Sequence, residues 1–532
     1  MQPEEKRAQL TQKAAVDGNG RPCPNVVPAV GQFVPCSGVF ACDGIVVLTD
    51  SRRVAAALPL PSADAARQCG GTVEFTLAPV GFDYVLNIRR ETIKARAATE
   101  EGLYHAAVSI AQMIAAYKER GIPCGDIYDS PRFAARGVML DVCRHFFDKS
   151  AVKRVIDAMA LFKLNRLHFH LSDDQGFRYD SASLPLLAEK AAYRTQTCGD
   201  GVRHGGFYTR ADLEEIVAYA ADRFIEVVPE IDLPGHTRAI LAAYPELSCS
   251  GKERGCATNF GIFADVLCVG KERVYDALDA LIGELAEIFP CREFHIGGDE
   301  VSKSEWIRCP DCRRRAEREG LTDYEQLQGY FTERVIKILK KYGKTPVVWN
   351  EALYSGMLDG SAVVQYWALG RRAADAVTVA SEKGRKIIVS RCRPYYADYP
   401  FSLSTLRETY GYEPAEGMAE GTVYGVEMPL WAEHISDEDT LFARLFPRAA
   451  AVAETAWSSR GVRDYGGFEK RFAAVSVTLD EKGVKYTPLK KCNPRKLARA
   501  FGSAAFGLKA FFRSNAGNAR NWRSSVRRTK VK

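Results

Sequence analysis

Gly137-Val-Met-Leu-Asp-Val142, a helix-like stretch over 150–162, and Arg166-Leu-His-Phe-His-Leu171 stand in that order along the chain. Short apolar runs read as strands and three-to-four spacing as helix, so this is a strand–helix–strand unit. The first strand runs into Cys143-Arg-His-Phe-Phe147 rather than the Gly-rich phosphate loop that usually follows the first strand of an open doubly wound sheet. Further strands are predicted over 225–231, 293–296, 346–349, 363–366, 386–389 and 422–426. Helices are predicted over 209–223, 273–288, 323–342, 372–383 and 437–457. Ser150 and Thr209 stand at N-cap positions, and Asp212 after Thr209 makes a loose capping box. Eight alternations over about 330 residues predict an α/β fold, a (β/α)8 TIM barrel, over 131–489.

Upstream the rhythm differs. Gly44-Ile-Val-Val-Leu-Thr49, Thr72-Val-Glu-Phe-Thr-Leu77, Tyr84-Val-Leu-Asn-Ile88 and Thr92-Ile-Lys-Ala95 read as strands, and 101–117 as a helix. These predict a small α+β domain over 21–130, preceded by a disordered leader over 1–20. The Pro/Gly punctuation of 121–131 reads as a linker.

Composition narrows the class. The 532 residues are 46% hydrophobic and 26% charged, which excludes wholesale disorder. No run of about 18 apolar residues offers a transmembrane segment. The net charge of +7 would suggest nucleic acid or an anionic surface, but 13 Lys/Arg and no acids lie in 490–532. The body is therefore mildly acidic, with a basic tail beyond the barrel. A short apolar stretch, 504–512, reads as a loose surface helix in a flexible segment, and deletion beyond 490 is expected to leave catalysis intact. The polar N-terminus carries no secretory signal, and the fifteen cysteines are odd in number; both favour a cytoplasmic protein with reduced thiols. Cys309-Pro-Asp-Cys312 is a lone C-x-x-C with no second pair at zinc-finger spacing, and reads as a reduced turn or one local disulfide.

Reactive groups of a barrel gather at the C-terminal ends of its strands. Those ends carry Asp141 and Arg144-His145; His168, His170 and Asp173-Asp174; Glu230, Asp232 and His236; His295 and Asp299-Glu300; Trp349-Asn350-Glu351; Trp367; Tyr396 and Asp398; Trp431 and Glu433. Five of the eight histidines and three of the six tryptophans fall there. Carboxylates, aromatics and one arginine around a concave face suit sugar recognition: rings stack on the C–H faces, and charged groups hold the hydroxyls. The adjacent pair Asp299-Glu300 can divide the work. A buried carboxyl among aromatics has a raised pKa and acts as general acid, while an ionised neighbour offsets positive charge.

These segments resemble glycoside hydrolase family 20, the exo-acting β-N-acetylhexosaminidases. The likeness rests on Asp141-Val-Cys-Arg-His-Phe-Phe, Lys163-Leu-Asn-Arg-Leu-His-Phe-His-Leu-Ser-Asp-Asp-Gln-Gly, Val228-Pro-Glu-Ile-Asp-Leu-Pro-Gly-His236, His295-Ile-Gly-Gly-Asp-Glu300, Trp349-Asn-Glu351, Leu430-Trp-Ala-Glu433 and Phe446-Pro-Arg448. It covers roughly 83–488. The resemblance implies a retaining mechanism in which the substrate's own 2-acetamido group is the nucleophile. It implies that Glu300 is acid and base, that Asp299 orients the acetamido N–H, and that Tyr396 bonds its oxygen. Trp349, Trp367 and Trp431 would wall the pocket, and Arg144, Asp398 and Glu433 would grip the non-reducing-end hydroxyls. His236 and Asp173 would orient Glu300. It implies no cofactor and no metal, and β-linked N-acetylhexosamine glycans as substrates, with no specific nucleic-acid partner. Phe177 stands where the family commonly has Trp.

Two rival classes are weighed. A metal-dependent barrel hydrolase would use His168 and His170 with His236, His295 and Asp299. A catalytically dead sugar-binding module would not need the intact Asp299-Glu300. His145, His168 and His295 read as buried structural groups.

Overall fold

The computed structural model describes residues 23–58 and 71–514. The expected leader over 1–20 and the end of the basic tail lie outside the described residues. The first element is a six-stranded sheet: β1 (Gln32–Phe40), β2 (Val46–Leu48), β3 (Thr72–Leu77), β4 (Tyr84–Ile88), β5 (Thr92–Ala97) and β6 (Ile122–Asp129), in the order β1-β6-β4-β5-β3-β2. Helix α1 (Glu100–Tyr117) packs on it, capped by Thr99 and buried along most of its length.

The barrel is closed by eight parallel strands: β7 (Ala135–Asp141), β8 (Arg166–His170), β9 (Glu226–Glu230), β10 (Glu293–His295), β11 (Thr345–Trp349), β12 (Val363–Tyr366), β13 (Ile387–Val389) and β14 (Val423–Leu430), with β14 pairing back to β7. Around it lie α2 (Lys149–Ala160), α3 (Arg210–Ala221), α4 (Glu272–Ile288), α5 (Pro310–Arg318), α6 (Tyr324–Lys341), α7 (Arg371–Glu382), α8 (Glu438–Leu445), α9 (Arg448–Trp457) and α10 (Tyr465–Val475). No helix among the described residues is long and apolar enough to cross a membrane.

Three local expectations are corrected. The presumed linker over 121–131 contains β6, a strand between β1 and β4 with Ile122, Cys124, Ile127 and Asp129 buried. Its Pro123 faces Val39 of β1 and lies beyond the reach of β4, which pairs only from Gly125 onward, so the missing N–H is tolerated. The cap of α2 is Asp148, whose Oδ1 accepts from Ala151 N at 2.9 Å, rather than Ser150. The helix expected over 437–457 is two helices, because Pro447 has no N–H to continue α8. The capping box at Thr209 and Asp212 is complete in both directions.

The two units meet at the N-terminal ends of β7 and β8, opposite the reactive face. Asp129 accepts from Tyr84 Oη at 2.5 Å and Trp457 Nε1 at 2.9 Å, and pairs with Lys163 Nζ at 3.1 Å. Both charged side chains are fully buried, and the ammonium lies 4.4 Å from the centre of the Trp457 ring. Breaking such a pair strands one charge in low dielectric. Asp129→Ala is therefore expected to lower unfolding stability by about 3–5 kcal/mol in urea titration, while kcat of the folded fraction stays unchanged.

Candidate active site

At the C-terminal face of the barrel, Arg144, His236, Asp299, Glu300, Trp349 and Trp367 line one cavity with Tyr396, Asp398, Trp431 and Glu433. Its volume is about 310 Å³, at the small end of ligand pockets. Of the expected site residues, Asp173 alone stands behind the wall, fully buried and within reach of both Arg144 and His236.

The turn after β10 sets the carboxylates. Gly297 (φ +62°) and Gly298 (φ +106°) bring the backbone against Asp232; a Cβ on Gly297 would sit 1.7 Å from Asp232 Oδ1, so only glycine fits. Gly298 O accepts from Gln328 Nε2 at 2.7 Å. Glu300 is itself left-handed, at φ +49°, as is His236 at +52°. Such backbone is costly for residues with a Cβ and persists where surroundings hold it; here Glu300 N donates to Glu351 Oε2 at 3.2 Å.

Burial falls more heavily on Asp299 than on Glu300, whose side chains are 10% and 24% exposed. Desolvation, aided by Glu300 and Glu230 and opposed by His236, pushes the Asp299 carboxyl up to about 6. The raised carboxyl is thus Asp299. Its Oδ1 is buried with no hydrogen-bond partner among the described residues, as are Asp398 Oδ1 and Trp367 Nε1. Three unsatisfied polar atoms on one pocket wall are what a bound polar ligand would complete.

Behind the pair runs a chain of charges. His236 Nε2 lies 3.6 Å from Glu300 and 3.8 Å from Asp299, and its Nδ1 lies 3.3 Å from Asp173 and 3.2 Å from Asp174. Burial alone would lower its pKa, but Asp173, Asp174 and Glu300 carry it well above the ordinary histidine value. Asp173 also pairs with Arg144 at 2.8 Å and His170 Nε2 at 2.9 Å, and His170 Nδ1 contacts Glu230. Glu230 meets His168 at 3.0 Å and His295 at 2.8 Å, and accepts from Trp349 Nε1 at 3.0 Å. Both nitrogens of His168 and of His170 thus face carboxylate oxygens, so neither ring offers a metal a lone pair without displacing a carboxylate. His145, pushed down to about 4 by burial, contacts Ala432 O at 2.5 Å.

The aromatic wall is continuous. Trp349 and Trp431 are 6.0 Å apart, Trp431 and Tyr396 6.1 Å, and Tyr396 stacks on Trp367 at 6.3 Å. The Arg144 guanidinium lies 4.8 Å from the Trp431 ring and bonds Asp141 at 3.3 Å and Gln175 at 3.1 Å. Asp398, desolvated and beside Glu433, is pushed up to about 8; burial also raises Glu433, despite Arg144.

Several supporting roles escaped the sequence. Glu230, Asp232 and Glu351 stand at strand ends, but their partners come from other strands. Gln175 stands in the Asp-Asp-Gln-Gly motif with no role assigned there, and Gln328 carried no signal. The basic tail is the main correction. Helix α11 (Lys496–Arg513) lies across the mouth, with Phe506, Ala510 and Ser514 in the cavity lining. Arg513 Nη1 donates to Glu433 O at 3.2 Å, Phe260 N donates to Arg513 O at 3.1 Å, and Phe506 packs edge-on to His434 and Tyr399. A segment read as separate from catalysis touches the backbone of Glu433 in the cavity wall.

A closed barrel with an adjacent carboxylate pair under an aromatic wall has the features of a glycoside hydrolase. The profile of the glycosyl hydrolase family 20 catalytic domain matches residues 133–460, and that of the family's domain 2 matches 81–130. The chain belongs to glycosyl hydrolase family 20. The β-hexosaminidase of Porphyromonas gingivalis is 35% identical over 427 residues, covering 76% of this chain and 54% of that protein. That of Akkermansia muciniphila is 37% identical over 367 residues, covering 66% and 74%. The chain spans about half the length of the former and three-quarters of the latter. The solved β-N-acetylhexosaminidase of Streptomyces coelicolor is similar at TM-score 0.75 and 34% identity, over 87% of this chain and 97% of that one. A mutant β-hexosaminidase of Streptomyces plicatus, in complex with product N-acetylglucosamine, is similar at TM-score 0.75 and 33% identity, over 89% and 98%.

Two outcomes are expected. A catalytic step that needs ionised Asp299, raised to about 6, makes kcat/KM fall as pH drops through that value. A ligand N–H held by Asp299 favours the carboxylate and moves the limb in kcat to lower pH; steady-state profiles on an aryl glycoside check both. Ending the chain at Asn493 removes α11 and is expected to raise KM about tenfold, the loss of roughly 1.4 kcal/mol of contact, with kcat little changed.

Proposed function

We infer that this chain is an exo-acting, retaining β-N-acetylhexosaminidase that releases terminal N-acetylglucosamine or N-acetylgalactosamine from β-linked glycans. The observation that carries this reading is the Asp299–Glu300 pair: a deeply buried carboxylate with a free Oδ1, beside a more accessible one, under the Trp349–Trp431–Tyr396–Trp367 wall. The small, one-sugar cavity and its Arg144, Asp398 and Glu433 end support exo action.

The reaction divides between the two carboxyls. The acetamido oxygen attacks the anomeric carbon as the glycosidic C–O bond breaks, and the Glu300 carboxyl delivers its proton to the leaving oxygen. The oxazolinium ion so formed carries its positive charge on the acetamido group, where ionised Asp299 accepts the N–H and offsets it. Tyr396 holds the acetamido oxygen, and the aromatic wall keeps the group in attack geometry. Water then adds to the anomeric carbon, giving its proton to Glu300, and the ring opens with configuration retained. The His236 imidazolium between Asp173 and Glu300 steadies the carboxylate form that Glu300 takes between the two half-reactions.

Glu300→Gln is expected to lower kcat by about 10²–10⁴-fold on a glycoside with a poor leaving group. Activity on β-linked aryl 2-acetamido sugars should vanish on their 2-hydroxy analogues. Equal rates on both series would remove the substrate's acetamido group from the mechanism.

A further inference from the structure

The lone C-x-x-C is not alone in the fold. Cys249 and Cys268, from the long loop after β9, converge on Cys309 and Cys312 in the segment after β10. The sulfurs of Cys249 and Cys312 are 3.7 Å apart, those of Cys268 and Cys309 3.8 Å, and those of Cys268 and Cys312 3.7 Å. All four lie within 4.8 Å of one another, and none is in a disulfide. A disulfide needs about 2.0 Å between sulfurs. A tetrahedral zinc site with Zn–S bonds of about 2.3 Å has sulfur–sulfur edges of about 3.8 Å. The measured separations match the second geometry.

The surroundings favour thiolates. Cys309 is the N-cap of α5 and Cys312 lies in its first turn, where the helix dipole and free N–H groups stabilise negative sulfur. Cys268, Cys309 and Cys312 are buried, and Cys249 is partly exposed, which leaves an ion a way in. The cluster is also where two site-bearing loops are tied. Trp306, fully buried, donates from Nε1 to Leu267 O at 2.9 Å across the two loops, and within the first loop Lys271 Nζ donates to Ser248 O at 2.6 Å. One of these loops carries His236, and the other carries Asp299 and Glu300.

We propose that Cys249, Cys268, Cys309 and Cys312 bind one zinc ion as four thiolates, a structural site that staples the loop of His236 to the loop of Asp299-Glu300. Binding releases the thiol protons to solvent and involves no redox step. Four protein ligands close the coordination sphere, so the ion holds the catalytic loops in register and does no chemistry on the sugar.

The test uses the full chain, grown with zinc and desalted against a mild chelator. Elemental analysis is expected to give one zinc per chain. Titration of the wild-type protein with an organomercurial should release that zinc as four thiols react. Cobalt-loaded protein should show thiolate charge-transfer and tetrahedral ligand-field absorption. Cys309→Ser/Cys312→Ser should lose the metal, with a lowered Tm. A metal-free wild type whose four cysteines are free or disulfide-bonded overturns the proposal. So does zinc retained by the double variant, as zinc held by histidines would be. If the double variant does not fold, the cobalt spectrum and mercurial titration of the wild type decide.

Discussion

A carboxylate with no access to water, Glu230, stands at the end of β9, and the active site is organised around it. An isolated charge there would cost several kcal/mol, so the barrel must bring it partners. It does so from three other strands: His168 and His170 of β8, His295 of β10 and Trp349 of β11. Burial pushes Glu230 up, but His295, His170 and His168 hold it well below the usual carboxylate range. Each partner is fixed by its other contacts. Trp349 becomes a rigid pocket wall, and His170 passes the constraint through Asp173 to Arg144 and His236. The groups that line the cavity are therefore braced by groups behind them.

The same economy explains the strained backbone. Gly297 permits a close approach to Asp232, and the left-handed His236 and Glu300 aim their side chains toward each other across two loops. His236 and Glu300 themselves lie outside regular secondary structure. Rigidity comes from contacts around the two turns: Glu351 and Gln328 on one side, and the cysteine cluster with Trp306, farther along the same loops, on the other. The small domain takes no part in this. Its join through Asp129 and Lys163 lies at the opposite end of the barrel, where residues act on stability.

Charge distribution also acquires a location. The basic excess of the C-terminal segment is carried in part by α11, which presents Phe506 and Ala510 to the cavity mouth and leaves Leu497, Phe501, Phe511 and Phe512 exposed. A helix with no buried residue of its own is held by a few contacts, Arg513 to Glu433 and Arg499 to Glu408 among them.

The sequence by itself determined the barrel, because period-two and period-3.6 apolar patterns are local and eight of them in alternation leave few arrangements. It also picked out most of the residues that line the cavity, since barrel strands end where the polar residues begin. Elements whose identity depends on neighbours were not legible. Strand β6 looks like a linker until β1 and β4 flank it, and Glu230 is one acid among many until three histidines surround it. Only the tertiary structure decided which carboxyl of the pair is desolvated, that a basic tail roofs the pocket, and that Cys249 and Cys268 meet Cys309-Pro-Asp-Cys312. Each of these is a distance between residues far apart in the chain, and such distances are set by packing rather than by local pattern.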